Sequence, residues 1–376
     1  MKNILITGGA GFIGSNLSIY LNKKGYNVTV LDNLSSQIHG KKQGSFLYNS
    51  VKDITNFVLG DVRVKSDWKK ALKGQDAIIH LAAETGTGQS MYEISKYNKV
   101  NILGTANLLD ILANQKHSIK KILVASSRSI YGEGKYYCEK DGYVYPQERL
   151  ESALEIGNFD PICNICNRKL EVYSTDENSH ISPSSIYAIT KYQQEQMVLL
   201  ISKALNISSI SLRYQNVYGP GQALNNPYTG ILSVFSTRLL NNHNIDIYED
   251  GEQSRDFVYI DDVVKATTLA LENTDTKNNI FNIGSGIATT VNSVANTLIR
   301  LYNSSQKTII SGKYRLGDIR HNYADLTKIK NILGYKPDFS FEKGSEKFVE
   351  WVNTQEIEHD DYDISLEKLR RKGFIK

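Results

Sequence analysis

Short apolar runs alternate with longer amphipathic segments through the first 214 residues of the chain. An apolar run of about four to eight residues is typical of a buried strand, whereas apolar positions three or four residues apart are typical of a helix. The predicted strands are Asn3–Thr7, Asn27–Asp32, 77–82, 122–126 and 209–214, and the predicted helices are 11–24, 100–114 and 185–204. Because strands that alternate with helices usually pair in parallel, the pattern predicts an α/β fold with a doubly wound parallel sheet.

The alternation weakens after residue 214, where shorter segments rich in asparagine and glycine follow. We expect residues 1–214 to form the first domain and residues 215–376 to form a smaller, mixed α/β domain that binds the substrate. Residues 248–270 are predicted to cross back to the first domain. Residues 133–174 are polar, hold all three cysteines and five tyrosines, and fit neither periodicity. They are predicted to be an insertion.

The composition is that of an ordinary globular protein. Its 376 residues are 40% hydrophobic and 22% charged, and the formal net charge is +4. So weak a positive charge favours neither nucleic acid nor a membrane surface as a partner. No stretch reaches the ~18 apolar residues needed to span a bilayer, and four glycines between positions 8 and 14 interrupt the apolar N-terminus. We therefore expect a cytoplasmic protein.

A glycine-rich segment, Thr7-Gly8-Gly9-Ala10-Gly11-Phe12-Ile13-Gly14, lies between the first predicted strand and the first predicted helix. In this position Gly8 permits a tight turn, Gly11 lets a pyrophosphate approach the helix, and Gly14 lets helix and strand pack closely. Asp32 ends the second strand, where its carboxylate can accept hydrogen bonds from both adenosine ribose hydroxyls and would repel a 2′-phosphate. The segment predicts a Rossmann-type dinucleotide-binding domain and favours NAD over NADP.

Candidate acid-base chemistry lies in the sequence Ser-Ile-Tyr-Ala-Ile-Thr-Lys, in which Tyr187 and Lys191 share one face of a predicted helix. A free tyrosine has a pKa near ~10, and lowering it by about 3 units takes about 4 kcal/mol. A neighbouring ammonium and a cationic cofactor could supply that stabilisation. A Tyr-x-x-x-Lys pair alone usually marks a surface helix. Ser127 strengthens the functional interpretation, because it ends a strand at the edge where open α/β sheets bind ligands.

Further motifs follow in order along nearly the whole chain, including Gly60-Asp61-Val62, His80-Leu81-Ala82-Ala83, Ser126-Ser127-Arg128-Ser129-Ile130-Tyr131-Gly132, Leu212-Arg213-Tyr214-Gln215-Asn216-Val217-Tyr218-Gly219-Pro220 and Arg255-Asp256-Phe257-Val258. Together with the glycine-rich segment, they resemble the extended short-chain dehydrogenase/reductases that modify nucleotide-activated sugars. The resemblance implies Ser127, Tyr187 and Lys191 as catalytic residues and NAD as the cofactor.

The same resemblance implies two sets of binding residues. Those for NAD are Gly8, Gly11, Phe12, Ile13, Gly14, Asp32, Asn33, Asp61, Val62, Leu81, Ala82, Ala83, Asn101, Ser126, Tyr187, Lys191 and Tyr214. Those for the nucleotide-diphosphate sugar are Thr87, Ser127, Gln215, Asn216, Arg255, Arg315 and Asp318. The arginines suit a diphosphate because a guanidinium can bind two phosphate oxygens at once. His80 ends an apolar strand, where we expect it to pack rather than to act in catalysis.

The two residues after Ser127 distinguish the reactions of this family. Nucleotide-sugar 4,6-dehydratases resemble the pattern but carry an Asp-Glu pair there, whereas this chain has Arg128 and Ser129. The resemblance therefore favours a 4-epimerase, in which Tyr187 removes the C4 hydroxyl proton while NAD takes the hydride, and the 4-keto sugar regains hydride on its other face. A dehydratase and an NAD(P)-dependent 4-ketosugar reductase stay as alternatives.

The substrate is indicated only by finer resemblances. Gln215, the segment Glu84-Thr85-Gly86-Thr87-Gly88-Gln89-Ser90, the segment Asn226-Pro227-Tyr228-Thr229-Gly230 and the cysteine-bearing insertion resemble the bacterial dTDP-L-rhamnose 4-epimerases. UDP-galactose 4-epimerases usually have phenylalanine where Gln215 stands. We expect dTDP-6-deoxy-L-talose, a surface-polysaccharide precursor, as the product, with UDP-hexoses or UDP-N-acetylhexosamines as alternative substrates. Relatives commonly dimerise through a four-helix bundle that includes the Tyr187 helix, so a homodimer is expected.

The three cysteines are an odd count and do not resemble a disulfide framework. Cys163 and Cys166 have the spacing of metal ligands, and Cys138 lies in the same insertion. Three thiolates would complete a structural zinc site only with a fourth ligand. The nearest histidine is His180, and nothing in the sequence fixes its position. We therefore expect reduced cysteines in a tyrosine-rich loop, without a metal.

Overall fold

The structure is a computed structural model that describes residues 1–40, 45–224, 230–356, 360 and 362–376. Residues 226–229 of the Asn226–Gly230 motif therefore lie outside the described residues. None of the helices in the described ranges is long and apolar enough to cross a membrane.

A seven-stranded parallel sheet forms the centre of the molecule, in the order β13-β9-β5-β4-β1-β2-β3. The predicted doubly wound sheet is thereby confirmed. The strands are β1 (Asn3–Thr7), β2 (Asn27–Asp32), β3 (Asn56–Leu59), β4 (Ala77–His80), β5 (Lys121–Ser127), β6 (Tyr136–Cys138), β7 (Gly142–Val144), β8 (Glu171–Val172), β9 (Ser208–Tyr214), β10 (Asn216–Tyr218), β11 (Ile245–Ile247), β12 (Ser254–Tyr259), β13 (Asn279–Ile283), β14 (Ala288–Thr290), β15 (Thr308–Ile310) and β16 (His321–Asn322).

Helices cover both faces of this sheet. They are α1 (Phe12–Lys23), α2 (Ser36–His39), α3 (Phe46–Val51), α4 (Lys65–Ala71), α5 (Thr87–Ser90), α6 (Ile94–Tyr97), α7 (Gly104–Asn114), α8 (Glu151–Glu155), α9 (Ile186–Ala204), α10 (Ile231–Leu240), α11 (Ile260–Glu272), α12 (Val291–Leu301), α13 (Thr327–Leu333), α14 (Phe341–Val352) and α15 (Tyr362–Arg371). A π-helix, Asn98–Leu103, precedes α7, and a 3-10 helix, Arg128–Tyr131, follows β5.

The two hydrophobic cores follow from the alternation of side chains along each strand. In β1, Ile4 and Ile6 pack in one core with α1 and α11, whereas Leu5 faces the other core with α7 and α9. Both sets of side chains are fully buried, which explains why the strand has an unbroken apolar sequence. The carboxyl ends of the strands form the edge where the candidate site lies.

Elements from beyond residue 214 return to the central sheet. Helix α11 packs against α1, and β13 pairs in parallel with β9. The remaining strands form three small sheets: β10-β12-β14 with β16 beside β12, the pair β11-β15, and the antiparallel sheet β7-β6-β8 within the predicted insertion. The division at residue 214 therefore stays a prediction about binding roles, since the sheet itself continues past it.

Candidate active site

A cleft of about 440 Å³ opens at the carboxyl ends of the parallel strands. Ligands bind at this edge in open α/β sheets because the strand order reverses there and the loops on either side diverge. Most of the predicted site residues line the cleft, namely Gly8, Gly11, Phe12, Ile13, Gly14, Asp32, Asn33, Val62, Leu81, Ala82, Ala83, Thr87, Ser126, Ser127, Tyr187, Lys191, Tyr214, Gln215 and Asn216.

The glycine-rich turn leaves no room for side chains at two positions. Gly8 has φ 67°, in the left-handed region, and a Cβ there would lie 2.9 Å from the backbone nitrogen of Ala82. A Cβ on Gly14 would overlap the carbonyl oxygen of Gly8 and lie 2.7 Å from the Cα of Gly9. The absence of both side chains keeps the N-terminus of α1 against the end of β1, which is the arrangement that a pyrophosphate requires.

Asp32 lies at the end of β2, where its carboxylate is buried. Its oxygens accept hydrogen bonds from the backbone N–H groups of Ala10, at 3.0 Å, and Leu34, at 2.9 Å. Burial raises the pKa of Asp32, and these N–H donors and nearby His39 act in the opposite direction. The carboxylate is thus fixed at the cleft wall, where it can accept hydrogen bonds from ligand hydroxyl groups.

Helix α9 presents Tyr187 and Lys191 to the cleft. The helix begins after Ser185, whose hydroxyl accepts a hydrogen bond from the N–H of Ala188 at 3.1 Å, an N-cap. The N–H of Tyr187 donates to Ser90 Oγ at 3.0 Å, which fixes the first turn against α5. Tyr187 therefore reaches the cleft from the start of the helix.

Ser127 meets Tyr187 from the end of β5. Burial of the Tyr187 side chain raises the pKa of its phenol. The nearby Ser127 hydroxyl and the charge of Arg128 lower this pKa but do not offset burial. From the sequence, Lys191 is expected to depress this pKa. The Lys191 ammonium instead donates to Gln194 Oε1 at 2.7 Å.

Lys191 is buried, and desolvation lowers its pKa to about 7. Gln194, its partner, donates in turn to Thr105 Oγ1 at 2.8 Å, and that hydroxyl lies 3.0 Å from His80 Nε2. His80 also bonds Thr7 Oγ1 at 2.7 Å and is fully buried. His80 is thus part of a buried hydrogen-bond network that positions Lys191 through Gln194 and Thr105. This arrangement is consistent with the expectation that His80 packs rather than catalyses.

Two predicted cofactor residues lie outside the cleft lining. Asn101, in the π-helix, is fully buried and bonds both backbone groups of Glu84 and the hydroxyl of Thr190. It therefore joins the loop after β4 to α9. The carboxylate of Asp61 is bound by Arg63 and Asn33, and these contacts lower its pKa to about 2.

Three residues predicted to bind the substrate also lie outside the lining. The guanidinium of Arg255 donates to the carbonyl oxygens of Ser254, Arg320 and Ile319 and to Asp318, the last at 3.0 Å. Arg315 stacks 5.1 Å above the ring of Tyr248. Its Nε is buried and has no hydrogen-bond partner among the residues described.

Arg128 lines the cleft, although its place in the sequence predicted only that dehydration is disfavoured. Its Nε donates to Asn216 Oδ1 at 2.7 Å. Burial and the nearby charge of Arg255 lower its pKa to about 9, while Asp318 acts in the opposite direction. Arg128 thus connects the cleft with the charged residues behind it. Its position directly after Ser127 was the signal that the sequence offered.

The sequence model of the NAD dependent epimerase/dehydratase family matches residues 4–149 and 168–284. A curated relative, the dTDP-L-rhamnose 4-epimerase of Burkholderia thailandensis, is 37% identical over 365 residues, which cover 95% of this chain and 96% of that protein.

Two solved structures share the fold. The UDP-glucose 4-epimerase of Thermotoga maritima, solved with UDP-glucose, is 31% identical with a TM-score of 0.75, covering 93% of this chain and 98% of that one. The UDP-glucuronic acid 4-epimerase of Bacillus cereus, solved with UDP-glucuronic acid and NAD, is 25% identical with a TM-score of 0.75, covering 93% and 99% respectively.

Proposed function

The chain belongs to the NAD dependent epimerase/dehydratase family, and on that premise we propose that it is an NAD-dependent 4-epimerase of nucleotide sugars. One observation carries the proposal. A single cleft joins the elements of a dinucleotide site to a set of groups suited to proton transfer, namely the glycine-rich turn and Asp32 on one side and Ser127, Tyr187 and Lys191 on the other.

The residues of the cleft fit NAD as the cofactor. Side chains at Gly8 and Gly14 would collide with the backbone of Ala82 and of Gly8, so these glycines permit the tight turn that a pyrophosphate requires in this fold. Ser126 Oγ is buried and has no hydrogen-bond partner in the part of the chain that the structure describes, so it can bond a ligand. Asp32 favours a free ribose 2′-hydroxyl over a phosphate. When bound, NAD would supply reversible hydride transfer at C4 of the sugar.

Tyr187 holds and moves the proton of the C4 hydroxyl in the proposed reaction. Burial raises the pKa of Tyr187, so the phenol becomes a base near neutral pH only with added positive charge. That charge comes from Lys191 and from the oxidised cofactor. Ser127 lines the same cleft and lies close enough to Tyr187 to lower the pKa of its phenol, which places it to bond the same sugar oxygen. The reaction restores every proton and hydride, so no cofactor is consumed.

The proposed substrate is dTDP-L-rhamnose and the product dTDP-6-deoxy-L-talose. The similarity to the Burkholderia thailandensis enzyme supports this assignment. So does Gln215, which lines the cleft with both of its amide atoms buried and without a hydrogen-bond partner among the described residues. An amide in this state favours a polar ligand group at a position where UDP-galactose 4-epimerases usually have an aromatic ring.

A UDP-hexose is the second candidate substrate, because the Thermotoga maritima structure holds UDP-glucose in a chain of the same fold.

Purified protein should be incubated with dTDP-L-rhamnose, UDP-glucose and UDP-N-acetylglucosamine, without added cofactor, and the sugars followed by NMR. We expect inversion at C4 of dTDP-L-rhamnose. Inversion of a UDP sugar alone would transfer the assignment to the second candidate, and inversion of none would refute the epimerase proposal. A 4-keto-6-deoxy product would indicate a dehydratase.

A matched variant tests the role of the amide. Gln215→Phe should lower the turnover of dTDP-L-rhamnose while the protein keeps its NAD, because Gln215 is proposed to contact the sugar nucleotide rather than the cofactor. An unchanged ratio of turnover between dTDP-L-rhamnose and UDP-glucose in this variant would contradict that role.

We also propose a homodimer formed through α9 and the neighbouring π-helix and α7. These helices pack side by side, and they carry exposed apolar side chains on the outer surface, namely Leu103, Ile189 and Leu200. Exposed apolar groups on adjacent helices favour burial against a second copy of the same helices.

A further inference from the structure

Four side chains with metal-binding atoms converge in the insertion. Cys138, Asp141, Cys163 and Cys166 each offer one atom, and these atoms all lie within 4.8 Å of one another. The sulfur of Cys138 lies 3.5 Å from that of Cys166, and Asp141 Oδ2 lies 3.4 Å from Cys138 Sγ and 3.2 Å from Cys163 Sγ. Ligands bound ~2.0–2.3 Å from a tetrahedral zinc ion are themselves about 3.3–3.8 Å apart. The three distances fall within or close to this range.

The backbone forms two similar turns around these atoms. In the first, Cys138 and Gly142 are paired residues of the hairpin β6-β7, and Gly142, directly after Asp141, has φ 75°. In the second, the N–H of Cys163 donates to the carbonyl of Arg168 at 2.8 Å, and Asn167, directly after Cys166, has φ 59°. Each turn thus places two ligands on one side, with a left-handed residue after the second ligand.

The donor set selects among metals. Three thiolates favour zinc, copper(I) or iron, whereas a carboxylate oxygen in the fourth position is a common ligand of zinc. Four protein ligands leave no open position for a substrate, which is typical of structural sites. A disulfide between two of the cysteines would leave the third thiol and the carboxylate unexplained. Asp141, rather than His180, thus lies where a fourth ligand would bind.

We propose that Cys138, Asp141, Cys163 and Cys166 bind one structural zinc ion, which closes residues 142–162 into a loop. This site lies beyond the proposed epimerase activity. Because metal binding adds free energy only to the folded state, it would stabilise an insertion whose own apolar cluster is small. The ranges matched by the family model leave out residues 150–167, which include the second turn.

The closed loop contains Arg149, which joins the insertion to the candidate substrate residues. Its side chain is buried, with Nη2 2.9 Å from Glu249 Oε1 and 2.9 Å from the carbonyl oxygen of Asp318. Asp318 in turn binds Arg255 at 3.0 Å. The proposed zinc ion is therefore a positioning element for this charged region, without contact with the cleft.

Metal analysis of the native protein tests the proposal. Full-length protein purified without a chelator or a histidine tag should contain about one zinc ion per chain by inductively coupled plasma mass spectrometry. Cys163→Ser should lose at least about tenfold in zinc affinity, or 1.4 kcal/mol. Asp141→Cys should keep the metal, because a thiolate replaces the carboxylate. Glu139→Gln, an exposed carboxylate between two of the ligands, is the matched control and should be unchanged.

Zinc X-ray absorption on the unaltered protein keeps the test valid where a cysteine variant fails to fold. We expect a first coordination shell of three sulfurs and one lighter atom. A shell without sulfur, another bound metal, or protein that neither contains nor takes up zinc would overturn the proposal.

Removal of the metal should also speed tryptic cleavage after Arg149 by at least about tenfold, since cleavage follows the population of the opened loop. Equal rates would refute closure of the loop by the metal.

Discussion

Tyr187 and Ser127 both line the cleft, and removal of the phenol oxygen of Tyr187 tests the proposed proton transfer. Tyr187→Phe should lower turnover by about 10³-fold, because it removes the only atom of this side chain that can carry a proton. Bound NAD, measured by chromatography of the nucleotide released on denaturation, should stay at the wild-type level. Tyr192→Phe on the same helix is the control and should be fully active. Loss of NAD from Tyr187→Phe would indicate a structural role instead.

His80 is expected to make the free energy of unfolding depend on pH. Burial lowers its pKa from 6.5 to about 3, so the folded state does not take up the proton that the unfolded state binds. The contribution of His80 to the free energy of unfolding is therefore complete above pH 6.5 and falls as the pH decreases toward 3.

We expect His80→Gln to be less stable than the wild type at neutral pH but to lose less stability between pH 6.5 and 3. Urea denaturation at a series of pH values measures the difference. The exposed His117, replaced in the same way, should leave the pH dependence unchanged. Parallel curves for wild type and His80→Gln would show that His80 takes up a proton in the folded protein.

The positions of individual groups were partly predictable from the sequence. The spacing of Tyr187 and Lys191 was sufficient to place both on one helical face, because helical geometry is local. The same geometry places Gln194 beside Lys191, but the burial of both side chains was not predictable from local spacing. Asp141 was missed as a neighbour of the cysteines because two turns far apart in the chain bring it to Cys163.

The turn between β1 and α1 offers a test of backbone packing. Gly14→Ala should weaken NAD retention at least tenfold, about 1.4 kcal/mol, because the added Cβ overlaps the Gly8 carbonyl and forces helix and strand apart. Gly25→Ala, just past the other end of α1, is the matched control. Its Cβ would meet open space, but φ 84° makes it cost about 1 kcal/mol of stability. Isothermal titration of nucleotide-free protein with NAD, alongside thermal unfolding, separates the two effects. Equal NAD affinities would contradict the packing argument.

Long apolar strands were easier to predict than short ones. β1 and β2 have the predicted bounds, because both strands are largely buried and rich in apolar and β-branched residues. β3 has only four residues, none of them buried, and its apolar run of three residues is too short to indicate a strand. β13 contains two asparagines, and Asn282 is buried because it bonds Tyr131 and the carbonyl oxygen of Thr175, contacts that no local pattern reveals.

The proposed homodimer can be tested by measuring the oligomeric state in solution. Leu103 and Leu200 are 47% and 68% exposed on the proposed dimer surface. Replacing both with glutamate should convert a dimer to a monomer in light scattering after size-exclusion chromatography, because burying the introduced charges is unfavourable. Ile310→Glu, at a side chain that is 52% exposed on β15, should leave the oligomeric state unchanged. A wild-type monomer at micromolar concentration would refute the proposed dimer.

The parallel pairing of β13 with β9 also bears on how the protein is made. A ribosome synthesises β9 well before β13, so the nascent chain carries an unpaired strand edge until Ile283 has emerged. Such an edge can pair with other chains. Translation that stops or slows between residues 214 and 283 would therefore yield an aggregation-prone intermediate, and only late in its own synthesis can the chain complete the sheet.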